Sequence, residues 1–142
     1  MRGPSGWMLG LIVSLILVGL VSGTPIRHVI QISPCVLSLI LLWRRDKWGR
    51  ISAVPLFAFW FVLMTLIWLF LLGIAKVITG HFTAVEIALT ISIGICCLAG
   101  FRSALRGINA RPFGSALGIL VCFLVLQIGA LWLSMQPQFA RI

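Results

Sequence analysis

Five long apolar segments fill almost the whole of this 142-residue chain, and its charged residues lie in the short gaps between them. An α-helix needs about 20 consecutive apolar residues to cross the hydrocarbon core of a bilayer. The segments fall at about residues 7–22, 26–43, 54–78, 84–101 and 112–135. The pattern predicts an all-α integral membrane protein, a single membrane domain over residues 1–142 built as a bundle of about five transmembrane helices.

The first segment also has features of a secretory signal peptide. Arg2 precedes the apolar run, and Val21, Ser22 and Gly23 form a possible small-residue cleavage site after it. We expect a retained helix. Removal of residues 1–23 is the alternative, and it leaves a bundle of four helices in the same orientation.

Composition excludes several classes of protein. Charged residues make up 9% of the chain, whereas soluble domains carry about 25%, so no separate soluble domain is expected. The net charge of +9 would suggest a nucleic-acid partner in a soluble protein. Here most basic residues flank apolar segments, so we interpret them as determinants of membrane orientation and expect no nucleic-acid binding.

The distribution of basic residues predicts the orientation. If the loops alternate between two sides, one side carries eight basic residues, namely Arg2, Arg44, Arg45, Lys47, Arg50, Arg102, Arg106 and Arg111. The other side carries three, namely Arg27, Lys76 and Arg141. Because cytoplasmic loops are enriched in Lys and Arg, we predict a cytoplasmic N-terminus and an external C-terminus, in a bacterial-type inner membrane.

Three local patterns refine the helices. Pro34 lies in the second segment, where it removes one backbone donor and crowds the carbonyl of Ile30, so we expect a kink near there. Thr83 and Glu86 have the spacing of a capping box at the start of the fourth helix. The third segment is the most aromatic, and we interpret it as a helix that faces lipid.

Small residues predict how the helices pack, because close approach of backbones drives helix association in lipid. On the fourth segment they recur every four residues, at Ala84, Ala88, Ser92, Cys96 and Gly100. On the fifth segment Gly114, Gly118 and Cys122 form a similar row, and on the first segment Gly6, Gly10 and Ser14 do so. We expect the fourth and fifth helices to pack tightly against each other, and a large side chain at Ser92 or Gly118 to loosen the bundle.

Catalytic and metal-binding patterns are missing from the sequence. The four cysteines, Cys35, Cys96, Cys97 and Cys122, lie in apolar runs without a CxxC pair, so we expect small core residues and neither disulfides nor a zinc site. The two carboxylates, Asp46 and Glu86, fall on opposite predicted faces of the membrane and cannot act as an acid–base pair. An enzyme is therefore less expected than a non-enzyme.

Polar residues gather at the predicted outer end of the helices. They are Arg27, His28, Gln31, Lys76, His81, Glu86 and Gln127. Ionisable residues near the membrane are candidates for function, so one hypothesis is an outward-facing polar pocket in which Arg27 pairs with Glu86. The alternative is that these residues merely anchor and cap helices. A haem held by His28 and His81 is a further alternative, although we expect no cofactor.

The predicted inner side carries the candidate contacts for anionic lipids or an acidic partner. These residues are Arg44, Arg45, Lys47, Arg50, Arg102, Arg106 and Arg111. Basic residues near a membrane surface attract anionic head groups, but the same residues can act as orientation determinants alone.

For function, the sequence favours a small accessory or assembly subunit that packs against other membrane proteins or against itself. The alternatives are a small oligomeric transporter or channel with an outward-facing pocket, and a membrane protein that handles a cofactor or a lipid. Membrane lipids are expected partners in every case.

Overall fold

The computed structural model describes residues 3–45, 48–106, 108 and 113–139. Its α-helices are α1 (Pro4–Val21), α2 (Pro25–Trp43), α3 (Gly49–Leu71), α4 (Ala84–Leu105) and α5 (Phe113–Ser134), followed by a short 3-10 helix at Pro137–Phe139. The described ranges contain no β-strand. All five α-helices are long and apolar enough to cross a membrane, which confirms the prediction of an all-helical chain with five helices of spanning length.

The bounds of α3 differ most from the prediction, which placed this helix at residues 54–78. At its start, Gly49 lies so close to α2 that a Cβ there would be 2.9 Å from the Leu41 carbonyl carbon. At its end, Gly73 has a φ of +73°, and the N–H of Ile74 donates to the carbonyl of Leu69 at 2.9 Å. This is a Schellman motif, which ends a helix at a left-handed glycine. The apolar residues beyond it had extended the predicted span.

The helices that neighbour α4 and α5 differ from the predicted ones. α4 packs mainly against α1 and α3, whereas α5 packs against α2 and α3. The expected tight pairing of the fourth and fifth helices is therefore wrong. α3 lies centrally and contributes the fully buried side chains of Leu56 and Phe57 and the nearly buried Trp60 and Met64. The interpretation of α3 as a lipid-facing helix is wrong for Phe57 and Trp60, and it stays a prediction for the partly exposed Phe59, Phe61, Trp68 and Phe70.

The row of small residues on α4 faces its two actual neighbours. The hydroxyls of Ser92 and Ser14 lie 3.3 Å apart, and a Cβ on Gly10 would be 3.0 Å from the Cys96 sulfur. These contacts hold α4 close to α1. Ala88 is exposed.

Farther along α4, a Cβ on Gly100 would overlap the ring of Phe57 in α3. On α5 the corresponding row is not used in this way, because a Cβ on Gly114 or Gly118 would meet no atom within 4 Å. A large residue at Gly118 is thus not expected to loosen the contacts described here.

Polar side chains within the bundle pair across helix interfaces, as they must where water is excluded. Ser38 and Ser52 join α2 to α3 with their hydroxyls 2.9 Å apart. The indole N–H of Trp68 donates to the hydroxyl of Thr90 at 3.0 Å, joining α3 to α4. Such pairs fix the register of neighbouring helices as well as their proximity.

Pro34 lies within α2, which continues through it. Because Pro34 has no N–H, the carbonyl of Ile30 lacks its usual helical donor. The hydroxyl of Ser33 donates to that carbonyl at 2.8 Å, so the group is satisfied within the same turn. A side-chain hydrogen bond therefore replaces the backbone hydrogen bond that the carbonyl of Ile30 loses to Pro34.

The predicted capping box is confirmed at the start of α4. The N–H of Glu86 donates to the Thr83 hydroxyl at 3.3 Å, and the N–H of Thr83 donates to Oε2 of Glu86 at 2.7 Å. The Thr83 hydroxyl also donates to the same carboxylate oxygen at 2.9 Å. Glu86 is thereby committed to the end of its own helix.

Candidate functional site

A cavity of about 550 Å³ opens at the end of the bundle where α1 meets α2 and α3 meets α4. We call it the histidine cavity. All five helices and the connection between α3 and α4 line it; its residues are Leu15, Val18, Ser22, Thr24, Arg27, His28, Gln31, Trp60, Leu63, Met64, Ile67, Ile78, Thr79, Gly80, His81, Phe82, Glu86, Thr90, Ile93 and Leu131. The volume lies within the range of about 300–1,000 Å³ that is usual for small-molecule sites.

Most of the predicted outer polar cluster converges on this cavity. The residues that line it are Arg27, His28, Gln31, His81 and Glu86. The other two predicted members lie elsewhere: Lys76 is exposed outside the lining, and Gln127 is fully buried behind it. The cluster inferred from sequence is thus brought together in large part.

Gln127 supports the cavity from behind by holding Gln31 in α2. Nε2 of Gln127 donates to the backbone carbonyl of Gln31 at 3.0 Å. The side-chain amide of Gln31 donates in turn to the hydroxyl of Ser134 at 2.9 Å. Both bonds come from one face of α5, because Gln127 and Ser134 are seven residues, or about two helical turns, apart.

Arg27 lies in the first turn of α2. Its Nε is buried and has no hydrogen-bond partner among the described residues. The positive charge of Arg27 is also unfavourable at this position, because the N-terminal end of a helix carries a partial positive charge. A buried guanidinium nitrogen without a partner is costly, so this position favours an anion.

The predicted pairing of Arg27 with Glu86 is not found in the part of the chain that the structure describes. Although both residues line the cavity, Oε2 of Glu86 accepts from the backbone and hydroxyl of Thr83. The cap thus occupies one of the two carboxylate oxygens of Glu86. The charge of Arg27 is therefore left facing the cavity without a carboxylate partner among the described residues.

His28 is held in one orientation by the turn between α1 and α2. Its Nδ1 lies 3.0 Å from the backbone carbonyl of Thr24. A carbonyl oxygen can only accept, so Nδ1 carries the proton, and Nε2 of the neutral ring keeps a lone pair. Gly19 makes room for the ring, since a Cβ there would lie 2.8 Å from the Cβ of His28.

His81 lies exposed in the connection between α3 and α4 and lines the same cavity. Among the described residues, no group of three or more His, Cys, Asp or Glu side chains is arranged to hold a metal ion. The haem alternative on His28 and His81 stays a prediction, which an absorption spectrum would test.

Apolar residues supply the wall that the sequence did not reveal. Buried side chains from three helices line the cavity, namely Leu15, Trp60, Met64 and Ile93. The indole nitrogen of Trp60 is buried beside the Cys35 thiol. The aromatic content of α3 was a signal for this wall, but it is equally typical of a lipid-facing helix.

The predicted basic contacts lie at the opposite end of the bundle, which we call the basic end. Arg44 and Arg45 are exposed after α2. Arg50, Arg102 and Arg106 line one cavity there. Lys47 and Arg111, like the carboxylate residue Asp46, lie outside the described residues.

The described residues therefore form an amphipathic cavity at one end of the helical bundle, and Nε of Arg27 has no partner among them. Comparison of the chain with protein-family models, with curated proteins and with solved structures gives no match.

Proposed function

We propose that this protein binds an anionic amphiphile, a molecule with an apolar chain and a negatively charged head group, in the histidine cavity. It would act as a lipid-handling protein of the membrane. The observation that carries the proposal is Arg27, whose Nε is buried beside the cavity and has no partner among the described residues. A carboxylate or phosphate on the ligand would supply the missing acceptor through charge-assisted hydrogen bonds.

The polar groups around Arg27 are suited to a hydrogen-bonding head group. Nε2 of His28 keeps a lone pair when the ring is neutral and can donate when the ring is protonated. Gln31 and Thr24 lie on the same lining. A head group with both an anionic oxygen and a hydroxyl or amide would find partners of both kinds.

The apolar wall is suited to the chain of the amphiphile. Trp60, Met64 and Ile93 are nearly fully buried and face the same space as Arg27. If the helices span a membrane, this end lies level with the lipid head groups. By the distribution of basic residues that level is on the outer side, where a single-chain lipid could enter from the bilayer or from water.

The proposal is tested by photolabelling. The protein is reconstituted in phosphatidylcholine vesicles and exposed to a long-chain fatty acid that carries a diazirine on its chain. We expect crosslinks to concentrate on Trp60, Leu63 and Met64. In Arg27→Gln, labelling at these residues should fall at least about tenfold, since a hydrogen bond to a charged group contributes about 1.5–3 kcal/mol.

The matched control is Lys76→Gln, which removes one positive charge at the same end of the bundle but outside the cavity lining. It should leave labelling unchanged, and the methyl ester of the probe should label the cavity weakly. Labelling that survives Arg27→Gln, or that spreads evenly over exposed α5 residues such as Val121 and Val125, would contradict the proposal. Uptake of the fatty acid across vesicles, lost in Arg27→Gln, would move the function towards transport.

An accessory or assembly subunit is a second proposal, and α5 favours it. Buried side chains on this helix are Phe123, Gln127 and Ser134. A Cβ on Gly114, Gly118 or Gly129 would meet no atom within 4 Å. A helix of another membrane protein could therefore approach the backbone of α5 closely.

Native mass spectrometry after gentle extraction from the source membrane tests the second proposal. A heterocomplex that Gly118→Leu dissociates, with the chain still folded, would support it. A lone chain or a homo-oligomer would contradict a role as a subunit of a larger complex. The intact mass would also show whether residues 1–23 are retained.

A further inference from the structure

The basic end contains a cavity of about 570 Å³ that is separate from the histidine cavity. The starts of α1 and α3 and the end of α4 form it. Its lining comprises Gly3, Pro4, Trp7, Arg50, Ala99, Arg102, Ser103 and Arg106. We call it the arginine cavity.

Three guanidinium groups line this cavity, and no carboxylate is among the described residues that line it. Arg50 is positioned by its Nη1, which donates to the backbone carbonyl of Ser103 at 3.1 Å. Arg102 and Arg106 are four residues apart at the end of α4, so they lie on the same helix face. The positive charges of the three guanidinium groups repel one another, whereas an anion bound among them would be attracted by all three.

Arginine side chains are well suited to phosphate because their planar fork can donate two parallel hydrogen bonds. The start of α1 adds to the positive potential. Its N-cap residue, Gly3, offers no side-chain acceptor, although its backbone carbonyl accepts from the N–H of Gly6 at 3.1 Å. The partial positive charge of the helix N-terminus therefore has no side-chain partner at this residue. The arginines and the helix end therefore favour the same kind of ligand.

An apolar groove of about 500 Å³ adjoins the arginine cavity. It runs between α1 and α4, and its lining comprises Gly6, Trp7, Leu9, Gly10, Val13, Ser14, Ser92 and Cys96. Trp7 belongs to both linings. The groove lies beside the Ser14–Ser92 contact, and Gly6 and Gly10 line it without side chains.

We propose that the arginine cavity and this groove form one binding site for an anionic phospholipid. The phosphate contacts Arg50, Arg102 and Arg106, and one acyl chain lies in the groove beyond Trp7. A soluble phosphate would satisfy the arginines but leave the groove empty, so the adjoining groove favours a lipid. This site does not depend on the ligand of the histidine cavity.

The experiment titrates the purified protein in non-ionic detergent and counts bound ligands by native mass spectrometry. The three probes are a phosphatidylglycerol, a phosphatidylcholine of the same chain length, and inorganic phosphate. We expect one phosphatidylglycerol to be retained in preference to the other two. Arg102→Gln should weaken it at least about fivefold, whereas Arg44→Gln should not, because Arg44 is exposed at the same end and outside the cavity lining.

A second pair of variants tests the groove. Val13 is 47% exposed and lines the groove, whereas Ile16 is 39% exposed on the same helix and does not. Val13→Trp should therefore displace the lipid and Ile16→Trp should leave it bound. Since both positions are exposed, neither variant needs to disturb the core.

Three results would overturn the proposal. Equal loss in Arg102→Gln and Arg44→Gln would mean a diffuse attraction to the whole basic end. Retention of inorganic phosphate with no preference for the lipid would assign the arginines to a soluble anion. Undiminished lipid binding in Val13→Trp would remove the acyl chain from the groove.

Discussion

The side-chain amide of Gln127 donates to the backbone carbonyl of Gln31 at 3.0 Å, between the least enclosed helix, α5, and α2. Gln127 is fully buried, and its Oε1 accepts a weak bond from the Cys35 thiol at 3.7 Å. The helices α2 and α5 are thereby joined by polar contacts next to the wall of the histidine cavity. The position of α5 depends on these contacts because few of its other side chains are buried.

Replacing Gln127 with leucine should therefore weaken the attachment of α5. Interhelical hydrogen bonds in membrane proteins contribute about 0.6 kcal/mol on average and up to about 1.7. We expect the free energy of unfolding in mixed detergent micelles to fall by about 1 kcal/mol. Gln138→Leu is the control, since Gln138 is exposed beyond α5. Equal stability of the two variants would mean that the Gln127 bonds contribute nothing net.

Alanine substitutions at Gly100 and Gly118 compare a glycine that packs closely against a neighbouring helix with one that does not. Gly100→Ala should lower the free energy of unfolding by about 1–3 kcal/mol, because the new methyl group overlaps the ring of Phe57. Gly118→Ala should be neutral or stabilising by up to about 1 kcal/mol, because its Cβ meets nothing. Thermal unfolding in detergent measures both. A larger loss of stability in Gly118→Ala than in Gly100→Ala would show that α5 packs in solution against a partner outside this chain.

The capping box gives a test at the entrance of the histidine cavity. Thr83→Ala should destabilise the protein by about 0.5–2 kcal/mol, the usual effect of losing an N-cap side chain. Hydrogen exchange should rise in the first turn of α4. Thr79→Ala serves as the control, because Thr79 lines the same cavity without a hydrogen bond in the described ranges. If exchange at the start of α4 is the same in both variants, the Thr83 cap does not hold this turn.

The orientation in the membrane is tested with single cysteines and an impermeant maleimide. Because basic residues favour the cytoplasmic side, Thr79→Cys should react in intact cells and Arg44→Cys only after the membrane is opened. The unsubstituted chain is the background, because Cys35, Cys96 and Cys97 are buried and it reports any reaction of the exposed Cys122. The reverse order of labelling would mean that the basic end is external.

The sequence predicted the individual helices well because each depends on nearby residues. Hydropathy located five helices, and the spacing of Thr83 and Glu86 located the start of α4. The end of α3 was missed because Ile74, Ala75, Val77 and Ile78 keep the hydropathy high, while a single left-handed glycine ends the helix. A glycine followed by an apolar residue was the available signal, and it is weaker than the apolar run.

The neighbours of each helix could not be read from hydropathy. Small residues on α4 and α5 are equally suited to close approach, yet Gly100 packs on Phe57 of α3 and Gly118 packs on nothing described. Which helices pack together depends on the shapes of both contacting surfaces. The periodicity of one segment therefore does not identify the segment that packs against it. For the same reason the aromatic residues of α3 gave no indication of whether they face lipid or core.

The sequence predicted the end of the helices at which the candidate site lies, but not that the residues there line a cavity. Arg27, His28 and Glu86 follow from their positions at the ends of apolar segments, which place them at one membrane face. Arg27 and Glu86 do not pair in the described residues, and Oε2 of Glu86 instead accepts from the N–H and the hydroxyl of the nearby Thr83. The apolar wall at Trp60 and Met64 requires the lateral order of the helices, which the sequence does not provide.

The histidine cavity is lined by all five helices, and this gives any occupant a thermodynamic effect on the whole chain. A ligand that contacts every helix binds the assembled bundle and has no equivalent site on separated helices. Its binding free energy is therefore added to the free energy of unfolding, by about 2.7 kcal/mol at a hundredfold excess over Kd. Melting temperature measured across a panel of anionic amphiphiles would consequently rank them by affinity without any assay of activity.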